Sequence, residues 1–173
     1  MCSIIYNYLI DNYTFSPELY HSERNSLKLI TSETGDAYDF SIIFCALARS
    51  IDIPAIPISG ILVDSNKKAK NHWWCEIYLE KFGWMPLDPG LGAGMDYDLY
   101  HEPQNRKSFY FGNLDAQHVA ISRGWNTVKP SIINNQTVYR PKTYALQSIW
   151  EESTVGTSSY SSFWANPIVL GIY

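Results

Sequence analysis

Apolar residues recur with helical spacing in the segment that follows Asp36. They are Phe40, Ile43, Phe44, Leu47 and Ile51, and this spacing predicts an amphipathic helix. Asp36 suits the N-cap, and Asp39 occupies the position of a capping-box acid three residues later. The helix should end near residues 50–52, because Pro54 disfavours helical backbone at the residue before it. Ala37 therefore lies in the first helical turn.

The pattern then changes to short strands separated by polar turns. Predicted strands cover residues 55–63, 72–79, 84–87, 109–111, 119–122, 137–140 and 144–150. Residues 3–10 predict a short opening helix, and residues 168–173 a docked edge strand. The glycine-rich residues 89–94 should be flexible, and residues 151–162 irregular. The first third of the chain is thus predicted to be mostly helical, and the rest mostly strands and turns.

The turn between the second and third strands decides which side chains share a face. Gly83 suits the left-handed position that closes a three-residue hairpin loop. Such a loop pairs Leu79 with Gly83 and sets Asp88 opposite Trp74. Strand side chains alternate, so Asp88 then shares a face with His72, on a diagonal of about 7–8 Å between Cα atoms. A loop of two or four residues would turn Asp88 to the other face.

The composition is that of a globular protein, with 46% hydrophobic and 17% charged residues. A length of 173 residues predicts one domain, residues 1–173, with core motifs in residues 35–89 and a β-rich C-terminal part in residues 105–173. The net charge of −4 gives no reason to expect nucleic acid as a partner. No apolar run approaches the roughly 20 residues that span a bilayer.

The cysteines Cys2, Cys45 and Cys75 are widely spaced, which favours neither a disulfide framework nor a zinc site. Reduced thiols and the absence of a visible signal peptide favour a cytoplasmic location. Asp96 and Asp98 are too few acids for a calcium site. We therefore expect neither a cofactor nor a metal.

Three positions match the needs of a thiol enzyme: Ala37 at a helix start, His72 at a strand start and Asp88 at a strand end. A helix N-terminus lowers the pKa of a thiol placed there. An imidazole accepts the proton of the thiol and later protonates the leaving group. An acid orients the imidazole and selects its tautomer.

These positions lie in the runs Gly35-Asp36-Ala37, His72-Trp73-Trp74 and Leu87-Asp88-Pro89. Together the runs resemble the transglutaminase-like superfamily, in which a Gly-x-Cys motif opens a helix, a catalytic His begins a strand and a catalytic Asp ends the next strand. The resemblance covers residues 35–89. It continues loosely to about residue 125, where residues 110–113 and 122–124 are similar to bacterial members.

The resemblance implies an α+β fold with a papain-like core, in which the nucleophile helix packs on an antiparallel sheet. It also implies acyl transfer through a thioester on a peptide or protein substrate. The reaction would be peptide or amide hydrolysis, or transamidation between glutamine and an amine. His72 carries over as general base and acid, Asp88 as its orienting group, and the Ala37 N–H as one oxyanion donor. The family cysteine is replaced by Ala37, whose methyl group cannot attack a carbonyl, so we expect the chain as written to be inactive.

The sequence leaves open whether Ala37 reflects an engineered change or a natural loss. The alternative from a different class is a non-catalytic module that keeps the cleft to bind peptides or proteins. Cys45 should be a buried core residue, and Cys75 should lie on the strand face opposite His72. His118 has no partner that the sequence identifies, and we expect a structural role for it.

Overall fold

The structure is a computed structural model that describes residues 1–17, 30–124, 131–133, 136–138 and 168–171. Two longer helices are α1 (Cys2–Asn12) and α2 (Ala37–Arg49), and two single-turn helices are α3 (Pro89–Gly92) and α4 (Arg106–Phe109). The strands are β1 (Thr14–Phe15), β2 (Thr34–Gly35), β3 (Ala55–Val63), β4 (Ala69–Leu79), β5 (Gly83–Leu87), β6 (His118–Arg123), β7 (Ser131–Ile133) and β8 (Gln136–Val138).

The central sheet is antiparallel, with strand order β5-β4-β3-β6. The helix α2 packs on one face of it, and α1 packs beside α2. The main core lies between these layers and includes Leu9, Phe44, Ala48, Cys75 and Ile77. A helix packed on an antiparallel sheet confirms the predicted α+β class.

The start of α2 follows its sequence signals. Asp36 is the N-cap and accepts a hydrogen bond from the Asp39 N–H at 3.1 Å, while the Asp39 carboxylate accepts one from the Asp36 N–H at 3.1 Å. This capping box satisfies two amides that a helix end leaves unpaired. Ala37 is the first residue of the helix, as predicted.

The hairpin of β4 and β5 has the predicted register. Leu79 pairs with Gly83, which adopts φ 78°, and Cys75 pairs with Leu87. The strand β4 begins at Ala69, three residues before the predicted start, because its first residues continue the ladder with β3. His72 is therefore inside β4 and not at its beginning.

The glycine-rich segment after Asp88 was predicted to be flexible, and this prediction was wrong. Residues 89–92 form the buried helix α3. A Cβ on Gly92 would lie 2.1 Å from the hydroxyl oxygen of Tyr6 in α1. The glycine thus serves close packing between α1 and α3 and not chain flexibility.

The strand predicted at residues 109–111 was also wrong. Asn105 caps the helix α4 by accepting a hydrogen bond from the Ser108 N–H, and of the predicted strand only Phe111 forms a bridge, with Leu87. The predicted strand 137–140 overlaps β8. Ile168 makes one bridge to Lys68, whereas residues 144–150 and 151–162 lie outside the described residues.

Candidate active site

His72 and Asp88 meet at the end of the β4–β5 hairpin. Nε2 of His72 lies 2.6 Å from Oδ2 of Asp88, and both side chains are fully buried. The register makes this contact, because it sets Asp88 directly after the Cys75–Leu87 pair and on the diagonal from His72. Nε2 therefore carries the proton that it donates to the carboxylate.

The Asp88 carboxylate is held by backbone as well as by side chains. Its Oδ1 accepts a hydrogen bond from the Leu91 N–H at 2.9 Å, which makes Asp88 the N-cap of α3. Burial alone would raise the pKa of Asp88, but His72 and His118 more than offset this and lower it below the usual range. Asp88 is consequently a fixed anion.

The second ring nitrogen of His72, Nδ1, is buried and has no hydrogen-bond partner. An unpaired buried polar atom of this kind costs about 1–3 kcal/mol, so such atoms are rare in folded proteins. With Nε2 protonated towards Asp88, Nδ1 is the nitrogen that carries a lone pair. It can accept a proton from a group placed next to it.

Ala37 lies near the Asp88 carboxylate, with Gly90 between them. A Cβ built on Gly90 would stand 3.3 Å from Oδ1 of Asp88 and 3.5 Å from the Cβ of Ala37. The glycine leaves a gap of one methyl group between the helix start and the carboxylate. Ala37 also packs against a second core cluster formed by Leu62, Leu91, Met95 and Tyr110.

His118 also contacts Asp88, although no partner for it was predicted from the sequence. Its Nε2 lies 3.0 Å from Oδ2 of Asp88, and its Nδ1 lies 2.8 Å from Oδ1 of Asp115. Asp115 in turn accepts a hydrogen bond from the Tyr110 hydroxyl at 2.7 Å. Burial alone would lower the pKa of His118, but the two carboxylates more than offset this and raise it to about 9.

The neighbouring strand β3 explains how His118 reaches Asp88. Gly60 pairs with His72 on one side and with Ala120 on the other. Side chains alternate along β6, so His118 shares the face of Ala120 and thus of His72. A Cβ on Gly60 would overlap the backbone oxygen of Val119 in β6 and stand 2.7 Å from the ring of Trp74, so glycine allows both groups to approach β3 closely.

One feature of the sequence could have indicated that His118 has an acidic partner. Asp115 and His118 stand three residues apart, directly before a predicted strand. Asp115 and His118 reach Asp88 because this strand, β6, pairs with β3 and not with β5. The local pattern of residues does not determine which strand β6 pairs with.

The cysteines do not join the site. Cys45 is buried in the core, and Cys75 donates a hydrogen bond to the Ser41 carbonyl at 3.2 Å, beneath α2. Burial raises the pKa of the Cys75 thiol well above its ordinary value. These positions agree with the predicted core role of Cys45 and the predicted location of Cys75 on the face opposite His72.

Donor atoms of His72, Asp88 and His118 lie within 4.8 Å of one another, which raises the question of a metal. Two ligands of a tetrahedral zinc with bonds of about 2.0–2.1 Å would stand about 3.3 Å apart. Both imidazoles instead lie at hydrogen-bond distance from the carboxylate, 2.6 and 3.0 Å. These distances fit hydrogen bonds between the imidazoles and the carboxylate better than coordination of one metal ion by all three side chains.

Two open clefts adjoin each other at Lys70 and Asp96. One, of about 580 Å³, is lined by Tyr13, Thr14, Phe15, Pro17, Lys70, Ala93, Gly94 and Asp96. Phe15 also packs against the cluster that Ala37 contacts, so this cleft begins beside the helix start. The other, of about 630 Å³, shares Lys70 and Asp96 with it.

Among the helices in the described ranges, none has the length and apolar character needed to cross a bilayer.

Three comparisons relate the chain to known proteins. No curated protein matches the sequence. A crystal structure from Cytophaga hutchinsonii, named as a candidate cysteine protease, is similar with 16% identity and a TM-score of 0.46 over 83% of this chain. The chain spans about half of that structure, 49% of its length. The family model of the transglutaminase-like superfamily matches residues 1–89. The chain belongs to the transglutaminase-like superfamily.

Proposed function

We propose that this fold supports thiol-dependent acyl transfer, with the nucleophile at position 37, His72 as general base and acid, and Asp88 as the group that orients His72. The observation that carries the proposal is the buried, unpartnered Nδ1 of His72, whose other nitrogen is committed to Asp88. A thiol beside that atom would give it a partner and lose its proton to it.

The helix start supports the same assignment. A first-turn amide has no partner within the helix, so the N–H of residue 37 is available to an oxyanion. The positive end of α2 would also stabilise a thiolate there. The chemistry proposed is attack on a peptide or amide carbonyl, followed by hydrolysis or by transfer to an amine. With Ala37 in place, the chain has no nucleophile and forms no thioester.

The proposed substrate is a peptide or protein. The cleft beside Phe15 is open and lined by aromatic, apolar and polar residues. A glutamine side chain or a main-chain amide are both acyl groups that such a site would take. Lys70 and Asp96 give the cleft one charge of each sign.

The second candidate is a non-catalytic module that binds peptides or proteins. Ala37 itself favours it, as does the complete burial of His72 and Asp88. An alanine codon at position 37 of the natural gene would support the non-catalytic module. A cysteine codon there would contradict it.

The test is acyl transfer by the Ala37→Cys variant, with casein and a fluorescent primary amine. New peptide termini would indicate hydrolysis, and incorporated amine would indicate transamidation. The matched control adds His72→Gln to the same variant. We expect product from Ala37→Cys alone, whereas equal product with and without His72 would contradict the proposed site.

A further inference from the structure

The Asp88 carboxylate is shared by two imidazoles. Nε2 of His72 and Nε2 of His118 lie 2.6 and 3.0 Å from the same oxygen, Oδ2. The other oxygen is occupied by the Leu91 N–H. The orientation of Asp88 towards His72 therefore depends on His118 as well as on the cap of α3.

Both ring nitrogens of His118 face carboxylate oxygens, at 2.8 Å on Asp115 and 3.0 Å on Asp88. A neutral imidazole has one N–H, so either tautomer would point a lone pair at a carboxylate. Two protons satisfy both contacts. The geometry thus describes His118 as an imidazolium between two anions.

Asp115 is itself fixed. Its Oδ2 accepts a hydrogen bond from the Tyr110 hydroxyl at 2.7 Å, and its Oδ1 accepts one from the Gln117 N–H at 2.9 Å. Burial and the contact with Asp115 raise the pKa of the Tyr110 hydroxyl, which keeps it a donor. Burial opposes ionisation of Asp115, but contact with His118 lowers its pKa overall.

The groups that face His118 come from several elements. His72 and Trp74 of β4 place their rings 5.8 and 5.1 Å from the ring of His118, and Tyr110 places its ring at 6.2 Å. Asp88 and Asp115 are the acids in contact with it among the described residues. The His118 side chain is 2% exposed, so salt screens these contacts little.

We propose that His118, held as a cation by Asp115, is a positioning residue that keeps the Asp88 carboxylate aligned with His72. The inference rests on the proposed function, since alignment matters only if His72 exchanges protons with a nucleophile at position 37. In the part of the chain that the structure describes, the residues that line the cleft beside Phe15 do not include His118. His118 acts by holding Oδ2 of Asp88 in place. The aligned carboxylate then keeps the proton of His72 on Nε2 and leaves Nδ1 without one.

The first test uses the chain as it stands. With 4 histidines in the sequence, ¹⁵N spectra of the imidazoles can be assigned by single His→Gln changes. We expect both nitrogens of His118 to be protonated at pH 7.5, with a titration midpoint near 9 that falls by at least about one pH unit in Asp115→Asn. In His118→Gln, His72 should show a mixture of tautomers. A neutral His118 at pH 7.5, or an unchanged His72 spectrum in His118→Gln, would overturn the inference.

The second test uses the Ala37→Cys variant and p-nitrophenyl acetate as acyl donor. Adding His118→Gln should lower kcat roughly tenfold with little change in KM, the size of one lost charge-assisted hydrogen bond. Adding Asp115→Asn, which keeps the packing, should move the alkaline limb of the kcat/KM profile to lower pH. His101→Gln, an exposed histidine, is the matched control and should change neither quantity.

The two proposals can fail separately. If Ala37→Cys is active and the His118 and Asp115 variants match it in rate and pH profile, the positioning role is wrong and the proposed function stands. If Ala37→Cys releases no more p-nitrophenolate than the parent chain, the proposed function fails. The imidazole spectra then decide by themselves whether His118 orients Asp88.

Discussion

His72 and Asp88 are joined by a 2.6 Å contact between Nε2 and Oδ2, although they stand 16 positions apart in the chain. The contact follows from the register of one hairpin, in which Gly83 adopts a backbone conformation that other residues rarely accept. A hairpin loop longer or shorter by one residue would turn Asp88 to the other face.

Replacing Asp88 by Asn tests the importance of this contact. In the Ala37→Cys background, Asp88→Asn should lower acyl transfer by about 100-fold or more, because an amide does not select the tautomer of His72 or stabilise its cation. The free energy of unfolding should also fall by about 3–5 kcal/mol, since two buried imidazoles lose an anion. The exposed Asp52→Asn is the matched control for both measurements. A rate within a few-fold of that control would show that Asp88 does not orient the base.

The helix start was predictable because its signals are local. Asp36 and Asp39 form a reciprocal capping box whose residues stand three apart in the sequence. The β4–β5 register was predictable for a similar reason, since loop length and one glycine determine it. Local chemistry of this kind carried two predictions: Ala37 in the first turn of the helix, and His72 and Asp88 on one face of the hairpin.

The features that were not predicted from the sequence depend on contacts between residues that lie far apart in the chain. Gly90 and Gly92 suggested a flexible loop, yet they lie in a buried turn of helix that Asp88 caps, where Ala37 and Tyr6 approach them closely. His118 joined the site because β6 pairs with β3 beyond a register shift at Ser59 and Gly60. Neither arrangement has a signature in nearby residues.

Removing the N-cap should weaken α2. Asp36→Ala deletes the acceptor of the Asp39 N–H and should lower the free energy of unfolding by about 1 kcal/mol, whereas Asp36→Ser keeps an acceptor and should cost less. Urea denaturation followed by far-ultraviolet circular dichroism measures both. Equal stability of the Ala and Ser variants would contradict a role for the cap.

The close approach of α3 to α1 predicts an asymmetry between two glycines. Gly92→Ala would bring a Cβ within 2.1 Å of the Tyr6 hydroxyl and should destabilise the protein by about 1–3 kcal/mol. Gly90→Ala meets its neighbours at 3.3–3.5 Å and should cost less. Urea midpoints of the two variants provide the comparison, and the reverse order would contradict the packing described.

The charge arrangement around His118 predicts how stability varies with pH. Its pKa rises from 6.5 to about 9 on folding, so its stabilising contribution is complete below about pH 6.5 and is lost as the pH rises through about 9. The loss should amount to roughly 3 kcal/mol at most. The pKa values of Asp88 and Asp115 are lowered, so their contribution is present above about pH 4 and is lost in acid.

Stability is thus expected to be greatest between about pH 4 and pH 6.5 as far as these three groups are concerned. Unfolding free energies from urea titrations at pH 6, 8 and 10 would measure the alkaline side. His118→Gln should flatten that slope, with His101→Gln as control. A slope that persists in His118→Gln would assign the pH dependence to other groups.

The alkylation rate of the Ala37→Cys variant tests the central claim most directly. The parent chain, whose three thiols are buried, measures the background reaction with iodoacetamide. At pH 7 the thiol introduced at position 37 should react at least several-fold faster than a free thiol, and adding His72→Gln should remove the excess. A rate no faster than that of a free thiol, or one that His72→Gln leaves unchanged, would contradict a site built around a nucleophile at the start of α2.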